Sequence, residues 1–246
     1  MKAFKYQTLF AVILVILSTA LYVAQIIIFH AERDTFFYLF QDLAFVPINV
    51  LLVTVIVDQV LRFRERMALL KKLNMVIGAF FSEVGTRLMR QFVVFDEDRN
   101  AIGKRLIVSG TWDDRTFDDA VQALRQHPVR IDYRRGDLPV LKEFLVARRG
   151  FLLGLLENQN LLEHASFTEL LWSVFHLMEE LDSRDDVRTL PRADGEHIAG
   201  DIKRAYLILI VEWLRYLQHL KKEYPYLFSL AIRTNPFDAN ASVEVK

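Results

Sequence analysis

Two histidines in the C-terminal half of the chain stand three or four residues before acidic side chains. His176 precedes Glu179 and Glu180 in the stretch HLMEE, and His197 precedes Asp201 in HIAGD. Residues at these spacings share one face of an α-helix, so each pair offers an imidazole nitrogen and a carboxylate oxygen to one metal ion. The sequence indicates His176, Glu179 and Glu180 as a candidate metal site. The commoner interpretation is that these acids pair with nearby basic side chains.

Other chemical signatures are missing from the sequence. The chain contains no cysteine, which excludes disulfides, thiolate metal sites and cysteine nucleophiles. It has no HExxH or GxSxG motif, no glycine-rich phosphate loop, no zinc-finger spacing and no ExxH pair of the diiron type. The sequence therefore predicts no cofactor, and an enzymatic role is the less favoured interpretation.

A second set of polar residues lies within the apolar N-terminal part of the chain. Ser18 and Gln25 are seven residues apart, and so are Asp42 and Asn49. Seven residues make nearly two helical turns, so each pair shares a face. If the two segments fold back on each other, Gln25 faces Asp42 and Ser18 faces Asn49. This stripe would either hold two membrane helices together or line a wet axis for ions or protons.

The segments that carry this stripe have the length of membrane spans. Residues 6–29 contain no formal charge over 24 positions. At ~1.5 Å per residue they would extend ~36 Å, enough to cross a ~30 Å hydrocarbon layer. A second apolar run covers residues 35–57. A cleaved signal peptide ending near residues 18–20 is the alternative for the first run, but the apolar stretch continues beyond it.

The charge distribution predicts an orientation. Residues 1–61 carry three basic and four acidic side chains, residues 62–92 have a net charge of +5, and residues 93–246 have a net charge of −4. Basic residues accumulate on the cytoplasmic side of membrane helices. We therefore expect an inner (cytoplasmic) membrane protein with two spans, both termini in the cytoplasm, and contacts to membrane lipid. Nucleic acid is not expected as a partner, because the basic cluster would lie at the membrane surface.

An apolar seam with a 3.5-residue period follows the second span. Its positions are Phe63, Met67, Leu70, Asn74, Ile77, Phe81, Val84 and Leu88. The small residues Gly78, Ser82 and Gly85 favour close helix packing beside it. The seam would either associate with copies of itself as a coiled coil, with Asn74 setting the register, or pack against the rest of its own chain.

The predicted fold is all-α. A two-helix transmembrane hairpin (residues 1–61) continues into a basic amphipathic helical extension (62–92), a cytoplasmic helical bundle (93–236) and a flexible tail (237–246). Within the bundle, a capping box at residues 166–169 predicts a helix that starts there. Helical patterns also begin near Thr116, Asp137 and Asp194.

This organisation favours a homo-oligomeric membrane scaffold or an ion-conducting assembly. One alternative is a membrane-anchored signalling or adaptor module that binds a soluble protein partner. The second alternative is a membrane-tethered metalloenzyme built on His176, Glu179 and Glu180.

Overall fold

The computed structural model describes residues 2–29, 32–158, 161 and 164–244, with side chains except at 2–11, 14, 29, 32–33, 66 and 68–71. Regular structure in these residues is helical, and Asp96 and Ile131 form an isolated antiparallel bridge. The all-α prediction is confirmed. The helices are α1 (Lys2–Phe29), α2 (Glu32–Phe80), α3 (Thr86–Phe95), α4 (Arg99–Arg105), α5 (Asp114–Gln126), α6 (Leu138–Ala147), α7 (Arg149–Leu156), α8 (Ala165–Asp182), α9 (Arg192–Glu223) and α10 (Pro225–Arg233).

The chain divides into two compact units, residues 1–66 and residues 67–246. The first unit contains α1 and the first part of α2. Residues 34–65 of α2 are long and apolar enough to cross a membrane, and none of their most apolar window is buried. A shorter apolar stretch, residues 15–28, lies within α1. Large apolar side chains in both stretches are exposed, among them Ile16, Phe40 and Leu51.

A π-helical segment, Phe81–Gly85, joins α2 to α3. The backbone N–H of Thr86 donates to the carbonyl of Phe81, five residues earlier. The Thr86 hydroxyl donates to the same carbonyl at 2.8 Å. The turn is wider than that of an α-helix, yet Phe81 and Val84 within it and Leu88 beyond it are all buried.

The core of the second unit surrounds α9, which packs against α8, α5, α10 and α3. Tyr206 of α9 is fully buried, and its ring meets Phe92 of α3 edge to face at a centroid distance of 6.0 Å. Phe80 and Phe167 make a similar contact at 5.3 Å between α2 and α8. These aromatic contacts attach α9 to α3 and α8 to α2, while α8 and α9 pack directly against each other and carry the candidate site.

Helices α5 and α6 each begin directly after an aspartate that caps their first turn. The Asp113 side chain accepts the backbone N–H of Thr116, and the Asp137 side chain accepts that of Val140. At α8, however, His164 Nδ1 accepts the N–H of Phe167 at 3.3 Å, and the helix begins at Ala165. The predicted capping box at residues 166–169 is therefore wrong, because its first residue already lies inside the helix.

The second half of the predicted oligomer seam is buried within its own unit. The side chains at these positions are between 0% and 3% exposed and belong to the core: Ile77, Phe81, Val84 and Leu88. Apolar side chains already covered by their own domain cannot form an interface between copies without unfolding it. Burial within the unit favours the second of the two interpretations for these four residues, in which the period reflects packing against the rest of the same chain.

The other seam positions differ from one another. Asn74 is half-buried and contacts His219 of α9, so it also faces its own unit. Phe63 is 66% exposed and Met67 is 52% exposed, and self-association through them stays a prediction. The side chain of Leu70 lies outside the described residues.

The small residues of the predicted close-packing face also lie against their own chain. A Cβ at Gly78 would sit 3.1 Å from the Tyr216 hydroxyl oxygen. A Cβ at Gly85 would sit 2.6 Å from the Phe81 ring. Ser82 is exposed. Close packing at the two glycines is therefore intramolecular, against rings of the same domain.

Candidate metal centre

Helices α8 and α9 bring together the two histidine–acid pairs that the sequence shows separately. His176 and Glu180 lie one turn apart near the end of α8, and His197 and Asp201 lie one turn apart near the start of α9. The connection between the helices is only residues 183–191, so the end of one helix lies beside the start of the next. Two imidazoles and two carboxylates therefore meet at one place.

The ligand atoms of this cluster surround a small space. His176 Nε2 lies 3.9 Å from Glu180 Oε1 and 3.6 Å from Asp201 Oδ2. His197 Nε2 lies 3.6 Å from Glu180 Oε2 and 3.4 Å from Asp201 Oδ2. The ligand atoms of His176, Glu180 and His197 all fall within 4.8 Å of one another. This spacing places three donors around one point, and Asp201 Oδ2 lies beside the two imidazoles.

Asp201 is the buried member of the cluster. Its side chain is 3% exposed, whereas the two histidines are about half exposed. Its Oδ1 accepts a hydrogen bond from Arg204 at 3.1 Å. Its Oδ2 is buried and accepts no hydrogen bond from the described residues. A buried carboxylate oxygen without a donor is costly, and here it points at both histidine rings.

Glu180 is oriented by Arg184, one turn further along the chain. Arg184 donates to Glu180 Oε2 at 2.8 Å and to both oxygens of Asp194, at 2.6 and 2.9 Å. These hydrogen bonds hold the pKa of Glu180 and the pKa of Asp194 below their ordinary values. Glu180 is therefore ionised at neutral pH, and its Oε1 faces His176.

Glu179 does not join this cluster. It forms an ion pair with Arg149 of α7 at 3.6 Å, and Asp182 contacts the same guanidinium at 3.7 Å. The predicted set of His176, Glu179 and Glu180 needs correction, because Glu179 points to α7 while His197 and Asp201 point to α8. The repeated spacing of a histidine four residues before an acid is the sequence signal that the four clustered residues share.

In the N-terminal unit, the residue of α1 that hydrogen-bonds to Asp42 is Tyr22 and not the expected Gln25. Tyr22 donates to Asp42 Oδ2 at 3.0 Å, which places α1 beside the first part of α2. Among the side chains described in these helices, Gln25 is half-buried and makes no hydrogen bond to Asp42. The exposed Ser18 and Asn49 make none to each other. The predicted pairing is therefore offset by about one turn.

Two family models cover most of the chain. The model described as "MJ1433, N-terminal helical domain" matches residues 2–61, and that of "Uncharacterized protein MJ1433, C-terminal helical domain" matches residues 69–233. The chain belongs to the MJ1433 family. It is similar to the uncharacterized protein MJ1433 of Methanocaldococcus jannaschii, with 43% identity over 242 residues, 98% of this chain and 97% of the relative. No solved structure matches the chain.

Each of the two features described above lies within one of the two family domains. In this member of the MJ1433 family, the Tyr22–Asp42 hydrogen bond lies in the N-terminal helical domain. The cluster of His176, Glu180, His197 and Asp201 lies wholly in the C-terminal helical domain. The C-terminal family model matches residues 69–233, which include most of the predicted helical extension (62–92) and of the predicted bundle (93–236). The boundary at residue 92 between these two segments stays a prediction.

Proposed function

We propose that this chain is an integral membrane protein whose N-terminal helices anchor the C-terminal helical domain at the cytoplasmic surface of the membrane. There the domain serves as a scaffold. The observation that carries the proposal is the apolar stretch 34–65 of α2, whose large apolar side chains are exposed. Exposing an apolar surface of this length to water is unfavourable in free energy, whereas the hydrocarbon core of a membrane can surround it.

The orientation rests on the basic residues. Lys2 and Lys5 precede the first span, and the segment 62–72 that follows the second span contains five basic side chains. The intervening loop has one arginine, Arg33, beside two acids. Both ends of the anchor are therefore assigned to the cytoplasm. The C-terminal domain follows them to the same side.

The arrangement supports a scaffold in preference to an ion-conducting pore. Asp42, the acidic residue proposed to line a conducting axis, accepts a hydrogen bond from Tyr22 of its own chain. This bond contributes about 0.6 kcal/mol to helix pairing in lipid and occupies one carboxylate oxygen. Asp42 thus acts in joining α1 to α2.

Membrane integration is tested by alkaline carbonate extraction of membranes from cells that express the full chain. The wild-type protein should remain in the membrane pellet. The double variant Val50→Arg/Val53→Arg should be degraded or partly lost from the pellet, because each arginine costs about 2.5–3.5 kcal/mol on insertion and only the first span then remains. The matched control Trp172→Arg changes an exposed residue of the C-terminal domain and should stay in the pellet. Release of the wild-type protein by carbonate would refute the anchor.

A second candidate function is self-association of the scaffold through the exposed seam positions Phe63 and Met67. The chain has no native cysteine, so the variant Met67→Cys carries a single thiol. Mild oxidation in membranes should give a disulfide-linked dimer of this variant and none of the control Gly200→Cys. Equal crosslinking of both variants, or none of either, would remove this candidate.

A further inference from the structure

We propose that α8 and α9 hold one divalent transition-metal ion of the zinc class, bound by His176, Glu180, His197 and Asp201. This inference goes beyond the proposed membrane scaffold and does not depend on it. The ion would tie the end of α8 to the start of α9 at the surface of the C-terminal domain.

The spacing of the donor atoms fits a tetrahedral ion. Zinc binds imidazole nitrogen and carboxylate oxygen at about 2.0–2.2 Å, which puts neighbouring ligand atoms of a tetrahedral site roughly 3.4 Å apart. The four histidine–carboxylate distances in the cluster are 3.4, 3.6, 3.6 and 3.9 Å. His176 Nε2 and His197 Nε2 therefore already lie close to one tetrahedral edge length from Asp201 Oδ2. Glu180 approaches the two imidazoles with different oxygens, Oε1 and Oε2, so one of these oxygens must turn towards the ion to complete the site.

The same distances disfavour a plain ion-pair network. A charge-assisted hydrogen bond between an imidazolium and a carboxylate is about 2.7–2.9 Å long. None of the four contacts approaches this length. By contrast, Arg184 reaches Asp194 at 2.6 Å and Glu180 at 2.8 Å in the same neighbourhood. The arginine pairs are at direct hydrogen-bond distance, whereas the longer histidine–carboxylate distances leave room for an ion between the donor atoms.

Asp201 supplies the independent observation. Its Oδ2 is buried, lacks a hydrogen-bond donor among the described residues, and lies 3.4 and 3.6 Å from the two Nε2 atoms. A buried carboxylate oxygen needs a donor, an ion or water to offset its lost hydration. A metal bound by both histidines would satisfy this oxygen directly.

Arginines hold the carboxylates in position from outside the cluster. Arg204 binds Asp201 Oδ1, which leaves Oδ2 turned towards both histidines. Arg184 binds Glu180 Oε2, which leaves Oε1 turned towards His176. Such outer partners fix ligand orientation in metal sites. Arg184 is shared with Asp194, so its positive charge is not balanced by Glu180 alone.

The donor set selects the kind of ion. Two imidazoles with carboxylates suit Zn²⁺ and similar first-row ions, whereas Mg²⁺ and Ca²⁺ prefer sites built from oxygen alone. His176 and His197 are about half exposed, which leaves the ion an open path from solvent.

The test is zinc binding by the full chain in detergent, stripped of metal by a chelator and dialysed. We expect one equivalent of Zn²⁺ per chain by calorimetry, no displacement by excess Mg²⁺, and the visible absorption of tetrahedral Co²⁺ when cobalt replaces zinc. His197→Ala and the milder His197→Gln should each weaken zinc binding at least about tenfold. His197 is a half-exposed surface residue, so both variants should fold, as circular dichroism will verify.

The matched control is Glu179→Gln, which changes the acid next to Glu180 but outside the cluster, and it should bind zinc like the wild type. Two results would overturn the proposal. One is the absence of stoichiometric zinc binding by the folded wild-type chain. The other is zinc binding by folded His197→Gln and His176→Gln that equals the wild-type affinity.

Discussion

Asn74 Nδ2 of α2 lies 3.2 Å from His219 Nδ1 of α9. This contact joins the one polar position of the predicted seam to a histidine of the same domain. In a coiled coil a buried asparagine pairs with its copy in another chain. Here its hydrogen-bonding group is already used within the C-terminal unit, and the apolar positions beyond it are buried there as well.

Replacing Asn74 tests this intramolecular role. Asn74→Leu should lower the free energy of unfolding by about 1 kcal/mol, because the partly buried His219 nitrogen loses its partner. The oligomeric mass in detergent should not change. The control Met75→Leu alters the exposed neighbouring side chain and should have little effect on stability. A change of oligomeric mass in Asn74→Leu alone would instead restore the register role.

The stability of the domain should depend on His219 at mildly acidic pH. Burial holds the pKa of His219 below its ordinary value, although the charge of Glu223 opposes this in part. The unfolded chain therefore takes up a proton on this histidine before the folded chain does. The stabilisation is present above pH ~6.5 and is lost as the pH falls through the window below it.

The variant His219→Gln keeps a side-chain acceptor for Asn74 but removes the titration. Thermal unfolding of this variant, followed between pH 7.5 and about 5, should show a shallower loss of stability than the wild type. A variant whose stability falls as steeply as that of the wild type would show that His219 does not carry this dependence.

Gly195 and Gly200 of α9 form a matched pair for testing helix packing. A Cβ at Gly195 would lie 2.2 Å from the Tyr133 ring, whereas nothing lies within 4 Å of a Cβ at Gly200. Gly195→Ala should cost about 1–3 kcal/mol because the ring must move. Gly200→Ala should stabilise the helix by roughly 0.5–1 kcal/mol. Chemical denaturation of both variants measures the difference, and equal effects would contradict the packing of Tyr133 on α9.

Arg184 should stabilise the junction between α8 and α9 in a pH-dependent way. It lowers the pKa of Glu180 and of Asp194, so its stabilisation is present above their unfolded values and is lost as the pH falls through the lowered ones. Arg184→Gln should therefore reduce stability at pH 7 and flatten the acid dependence. Arg192→Gln breaks only an exposed pair with Glu196 and should change little. Identical pH profiles of the two variants would contradict this role.

The sequence predicts the all-helical fold class, but it predicts only some of the candidate metal residues and does not show what the apolar helix faces pack against. A 3.5-residue period shows that one face of a helix is apolar, but the same period arises whether that face meets another chain or α9 of its own domain. Phe81 and Leu88 illustrate this, since both are core residues. The π-helical segment Phe81–Gly85, where the Thr86 hydroxyl donates to the Phe81 carbonyl, is not revealed by the local sequence pattern.

The choice between Glu179 and Glu180 shows the same limit. Spacings of three and four residues from His176 are both compatible with one helix face. Only tertiary contacts decide between them: Arg149 of α7 draws Glu179 away, and His197 of α9 faces Glu180. Likewise, Tyr22 reaches Asp42 across α1 and α2, although pairing by equal depth favoured Gln25. The long tyrosine side chain makes this contact possible, and a periodic pattern of residue types carries no information about side-chain length.

The membrane anchor is the central claim, and single-cysteine accessibility tests it most directly because the chain has no native cysteine. A membrane-impermeant maleimide applied to intact cells should label Asp34→Cys, at the start of the second span. It should label Gly200→Cys, in the C-terminal domain, only after the membrane is permeabilised. Labelling of Gly200→Cys in intact cells, or protection of Asp34→Cys until permeabilisation, would contradict the account.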